Sequence, residues 1–120
     1  MSTKVRKTTL KEFNQFKKSF LHWQQKLSLG HFRIVFEVAD LPESYAQIQI
    51  NAPAKIATVR FCSDVPVDRA QFLQPERSAK HEAIHLFLNQ LSHLGSCRYL
   101  DSQEIPDMEE GMTNILEELL

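Results

Sequence analysis

The sequence contains few of the residues that mark disulfide scaffolds, flexible linkers or membrane segments. Its 120 residues include two cysteines, three glycines and five prolines. Cys62 and Cys97 stand 35 residues apart, without the paired spacing of a zinc finger or ribbon, so we expect them to be reduced thiols. No apolar run approaches the roughly 20 residues of a membrane span, and the residues after Met1 are polar rather than an apolar signal core. These absences predict a cytoplasmic protein that does not associate with membranes.

An excess of charge of one sign is also missing. Fourteen Lys and Arg residues against fifteen Asp and Glu residues leave a net charge of −1, which gives no bulk attraction to nucleic acid. Hydrophobic residues make up 42% of the chain, which is enough for one folded domain over residues 1–120. Residues 1–8 include Lys4, Arg6 and Lys7, and we expect them to form a loose basic tail.

The first regular element predicted by the sequence is an amphipathic helix. Thr9 and Glu12 have the spacing of a capping box, which satisfies free amides at a helix start. An apolar stripe follows at steps of three and four residues, made of Phe13, Phe16, Phe20, Trp23 and Leu27. Gly30 is expected to end this helix, because glycine readily takes the left-handed conformation.

Three runs of alternating apolar and polar residues then predict strands, at 32–38, 46–50 and 55–62. Their connections are short, which favours an antiparallel sheet. The stretch 64–74, with Pro66, is typical of a loop.

Two helices are predicted after the strands. Pro75 suits a first helical turn, and residues 76–94 carry a wide apolar arc that indicates a buried helix ending at Gly95. Pro106 can open a last helix, whose apolar stripe consists of Met108, Met112, Ile115, Leu116 and Leu119. The order of helix, three strands, helix and helix predicts an α+β domain.

The motif with the clearest chemistry is His81-Glu82-Ala83-Ile84-His85, inside the predicted buried helix. Residues four apart project from one face of a helix, so both imidazoles can reach one zinc ion at about 2.0–2.1 Å. Glu82 can then act as general base toward a water on that metal. The structural alternative is two hydrogen-bonded core histidines beside a solvated Glu82. We favour zinc, because unpaired imidazoles are costly to bury.

A catalytic zinc site needs a third protein ligand, and the residues alone leave its identity open. His93 lies eight residues after His85, roughly 12 Å along the same helix, which is too far. His22 and His31 belong to other predicted elements, and we expect all three histidines to be surface or supporting residues. Glu109 and Glu110 in the last helix are better placed, and the helical face shared with Met112 and Leu116 favours Glu109.

The pattern resembles the gluzincin metallopeptidases, in which a His-Glu-x-x-His helix is followed by a helix that supplies a glutamate ligand. In that family Asp or Asn commonly follows the glutamate by four residues and orients a ligand histidine. Glu110 and Asn114 match this form, so the resemblance implies Glu110 as the ligand, with Asn114 supporting a histidine. The whole chain is also similar to the small zincin-like proteins encoded in phage and bacterial genomes.

The resemblance implies a zinc-dependent peptidase whose polypeptide substrate pairs with the strand before the motif helix, here Lys55 to Cys62. An oxyanion-stabilising Tyr or His has no clear match; Tyr99 is the candidate, and Arg98 and His93 are weaker ones. Without that group, the other interpretation is a catalytically silent, metal-stabilised module that binds a partner protein. The sequence leaves the substrate and the oligomeric state undetermined.

Overall fold

The computed structural model of the protein describes residues 4–96 and four helical residues of the C-terminal segment, namely Glu110, Thr113, Asn114 and Glu117. The elements in chain order are β1 (Val5–Lys7), α1 (Leu10–Lys26), β2 (Arg33–Ala39), β3 (Ala46–Asn51), β4 (Ile56–Cys62), β5 (Asp64–Pro66), α2 (Val67–Ala70) and α3 (Pro75–Ser96). The predicted α+β class is confirmed.

The predicted antiparallel sheet is wrong for one of its two strand pairs. The strand order is β2-β4-β3, in which β3 pairs antiparallel with β4 and β2 pairs parallel with it. The cause is burial: β4 carries four buried residues, Ala57, Val59, Phe61 and Cys62, so it takes the centre of the sheet. The turn between β3 and β4 makes them a hairpin, and β2 is left to pair on the other side of β4.

The start of α1 follows the sequence prediction, and its end does not. Thr9 and Glu12 form the capping box. The left-handed residue after the helix is Ser28, with φ 58°, whereas Gly30 has no positive φ. The Ser28 N–H donates to the Gln25 carbonyl at 3.1 Å and the Leu29 N–H to the Gln24 carbonyl at 2.8 Å, which is a Schellman motif. Leu29 is fully buried behind this turn.

Two stretches expected to be irregular contain regular structure. Val5–Lys7 lies in the predicted loose tail, yet it forms β1 and pairs antiparallel with β5, which occupies the start of the predicted loop. The Thr8 N–H donates to the Ser63 carbonyl at 3.0 Å, which fixes the chain just before α1. Helix α2 continues the same predicted loop.

The core lies between the two long helices and the sheet face that carries Val59 and Phe61. Phe16 of α1 stacks on Phe61 with ring centroids 4.9 Å apart. The α3 residues that join this core are Ala79, Ala83 and Leu86. Ile84 and Leu88 are buried as well, which confirms the predicted buried helix, although Phe87 of the predicted apolar arc is 39% exposed. With that face of α3 turned to the core, another side of α3 carries His81 and His85.

Candidate metal centre

The two histidines of the motif lie one turn apart on α3 and face the same space. Their ring centroids are 4.8 Å apart, and the ring planes meet at 69°. The side chain of His81 is 26% exposed and that of His85 is 18% exposed. Both rings are therefore held by the protein yet remain open to a small ligand.

Glu110 of the C-terminal segment completes a cluster of three ligands with these histidines. Its Oε2 lies 2.9 Å from Nε2 of His85, and its Oε1 lies 3.6 Å from Nε2 of His81. One ligand atom from each of the three residues lies within 4.8 Å of the other two. Among the residues that the structure describes, this is the one group of His, Cys, Asp and Glu side chains able to hold a metal ion.

The geometry and chemistry of this cluster fit zinc. Tetrahedral coordination at 2.0–2.1 Å places ligand atoms roughly 3.3 Å apart, between the two carboxylate–imidazole distances seen here. Two imidazoles and one carboxylate are also the ligand set of many catalytic zinc sites, in which the fourth position remains open. The Glu110 side chain is 54% exposed, so the cluster is open to solvent on that side.

Glu82 lies beside the cluster and is almost fully buried, with 7% of its surface exposed. Burial raises the pKa of its carboxyl group, and the neighbouring His85 and His81 oppose that rise only in part. The structure thus places Glu82 in the lining of the same cavity as the three potential ligands.

Glu117 is a site residue that the sequence analysis missed. Its Oε2 accepts a hydrogen bond from Nδ1 of His81, and its Oε1 accepts one from Nε of Arg77 at 2.8 Å. Burial by itself would raise the pKa of Glu117, but the hydrogen bonds from Arg77 and His81 outweigh it and hold that pKa below its usual value. Arg77 precedes His81 by four residues, which places both on one face of α3, but no spacing in the sequence pairs either of them with Glu117.

A cleft between α3 and β3 runs past the cluster. It contains one cavity of about 340 Å³ toward Phe72 and Arg77 and another of about 470 Å³ toward Ile50 and Asn89. Ala46, His81 and Glu82 line both cavities. The general-base candidate and one metal ligand therefore lie at the middle of the cleft.

The strand beside the cleft is β3, which corrects the expected substrate strand. Lys55 to Cys62 contains β4, which is paired on both sides and cannot add another strand. Among the described residues, β3 pairs with β4 alone. The Cys62 N–H donates to the Tyr45 carbonyl at 2.9 Å, so antiparallel alternation turns the backbone groups of Ala46, Ile48 and Ile50 away from β4. These residues also line the cleft.

The remaining candidates fall into two groups. Asn114 lies in the described part of the chain and is exposed. The side chain that contacts Nδ1 of His81 is that of Glu117, so the supporting role of Asn114 stays a prediction. His22 and His31 are exposed, with their rings against Trp23 and Phe32. The described part of the chain does not include Glu109, Arg98, Tyr99 or the side chain of His93. Of the last predicted helix, it includes only the four residues named above.

Comparison of the chain with protein-family models, with curated proteins and with solved structures gives no match. No helix in the described part of the chain has the length and apolar character needed to cross a membrane. The functional interpretation therefore depends on the geometry of the site.

Proposed function

We propose that the protein is a zinc metallopeptidase in which His81, His85 and Glu110 hold the metal and Glu82 is the general base. One observation carries this proposal: three side chains of the types that bind zinc lie within 4.8 Å of one another and line a cleft together with the buried carboxyl group of Glu82. Zincin-like architecture belongs to the same proposal, supported by the helix that carries the motif and by the edge strand beside it.

Zinc in this site would polarise the scissile carbonyl and lower the pKa of a water in its fourth position toward about 7. Glu82 would take one proton from the attacking water while the water oxygen adds to the carbonyl carbon. Glu82 would then give that proton to the amide nitrogen as the C–N bond breaks, which restores its carboxylate. The second water proton would leave the new carboxyl group for solvent, so the products are a carboxylate and a free amine.

The substrate is an extended polypeptide that adds to the edge of β3 that no other strand pairs with in the described part of the chain. Backbone groups of Ala46, Ile48 and Ile50 supply the hydrogen bonds, as in other complexes formed by strand addition. Pairing at this edge lays the peptide along the cleft, where Ala46 is close to both Glu82 and His81. The scissile bond can thereby reach the metal centre without a deep pocket.

The test compares wild-type protein with Glu82→Gln on a diverse peptide library, with cleavage read by mass spectrometry. Glutamine keeps the size of the side chain but cannot accept the proton, and loss of a general base typically costs about 10²–10⁴-fold in rate. We expect the variant to bind zinc normally and to lose cleavage. Glu76→Gln, an exposed glutamate in the first turn of α3, is the matched control and should cleave like wild type.

Two results would contradict the proposal, the first its peptidase activity and the second its general base. The first is a zinc-loaded wild-type protein that cleaves nothing in the library, which would leave the metal-stabilised binding module as the function. The second is equal cleavage by wild type and Glu82→Gln, which would show that a general base at this position is not used.

A further inference from the structure

His81 is held at both nitrogens of its ring. Its Nε2 faces Glu110 in the ligand cluster, and its Nδ1 contacts Glu117. A carboxylate is an acceptor only, so Nδ1 of His81 carries a hydrogen in this contact. This leaves Nε2 as the nitrogen through which His81 would bind a metal.

Glu117 is itself fixed at both oxygens. Arg77 Nε donates to Oε1 at 2.8 Å, and the second oxygen is taken by His81. The Glu117 side chain is 12% exposed, whereas that of Arg77 is 62% exposed. Arg77 lies one turn before His81 on α3, so one helix supplies both hydrogen-bond donors to the Glu117 carboxylate.

The position of Glu117 separates it from the metal ligands. It contacts the Nδ1 side of the imidazole, while Glu110 lies toward Nε2 of both histidines. A carboxylate on Nδ1 acts on the metal only through the ring, by fixing the tautomer and orientation and by raising the basicity of Nε2.

We propose that Glu117, held in place by Arg77, is a positioning residue that orients His81 for metal binding. The proposal rests on the metal centre described above and not on catalysis. It assigns to Glu117 the supporting role that the family resemblance gives to Asn114. Arg77 contacts Glu117 rather than His81. Its loss has the smaller effect on metal binding because Glu117 keeps its contact with His81.

The experiment measures zinc affinity by competition with a chromogenic chelator for wild type, Glu117→Ala, Glu117→Gln, Arg77→Ala and Asn114→Ala. Removing a carboxylate that supports a ligand histidine typically weakens metal binding about 10–100-fold. We expect that loss for Glu117→Ala and a smaller one for Glu117→Gln, whose amide oxygen still accepts the Nδ1–H bond without the charge. Arg77→Ala should lie between wild type and Glu117→Ala, and Asn114→Ala should stay close to wild type.

Two further readings separate positioning from a general structural effect. The metal-free Glu117→Ala and Arg77→Ala variants lose the same ion pair and should melt at similar temperatures, although their zinc affinities differ. Co²⁺ bound to Glu117→Ala should show a shifted visible spectrum, because the ligand field of His81 changes. Equal zinc affinity in Glu117→Ala and wild type would overturn the proposal and leave the peptidase function standing. A larger loss in Asn114→Ala would give the role to Asn114. Failure of wild type to bind zinc would remove the metal centre and this proposal together.

Discussion

At the scale of single residues, the proposed third ligand, Glu110, decides whether His81 and His85 can form a metal site. His81 and His85 come from consecutive turns of α3, but Glu110 comes from the C-terminal segment. Its carboxylate contacts both imidazoles while half of the side chain remains in solvent. The ligand set is complete only when these two parts of the chain meet.

Glu110→Ala should therefore reduce zinc affinity strongly, because it removes a bond to the metal, whereas loss of a supporting residue costs about 10–100-fold. Glu109→Ala is the control next to it in sequence. The measurement is the same chelator competition for both variants. If Glu109→Ala is the more damaging change, the ligand is one residue earlier than we assign it.

The sequence could predict the residues whose role depends on local spacing. His81 and His85 are four residues apart, so their common face follows from helix geometry alone, and Glu82 directly follows the first of them. Glu117 and Arg77 could not be assigned in this way, because their contact joins residues 40 apart in sequence. Only the packing of the C-terminal segment against α3 makes them part of the site.

At the scale of elements, the edge strand determines how a peptide could bind. The resemblance implies that the substrate pairs with Lys55 to Cys62, because that strand precedes the motif helix. Its four buried residues make β4 the centre of the sheet, and the hairpin partner β3 takes the edge instead. Period-two patterns predicted where the three strands lie but not their order, since order depends on which strand the helices cover.

Ala46→Pro tests the use of the β3 edge. Proline removes the N–H of Ala46, which points away from β4, and leaves the inward ladder to β4 intact. One lost hydrogen bond is worth about 0.5–1.5 kcal/mol, so cleavage should fall about 2–10-fold with zinc still bound.

Ala46→Ser is the matched control, because it keeps the backbone N–H with a side chain of similar size. Steady-state cleavage of one library-derived peptide measures both variants, and metal content is checked in parallel. Unchanged cleavage by the proline variant would show that the peptide does not pair at this position of β3.

At the scale of the whole molecule, the metal would connect two parts of the fold. The described contacts between the C-terminal segment and α3 are polar: Glu110 with both histidines, and Glu117 with His81 and Arg77. Thr113, between the two glutamates, is fully buried. A metal that binds the folded state alone adds its binding free energy to the stability of that state.

The most direct measurement is the zinc content of the purified protein, determined by elemental analysis after dialysis against metal-free buffer. We expect about one zinc per chain in wild type, and none in His81→Ala or His85→Ala, which should also melt at lower temperature than the zinc-loaded protein. His22→Ala, an exposed histidine of α1, should keep the metal. A wild-type protein that takes up no zinc, or a His85→Ala variant that holds as much as wild type, would contradict the account.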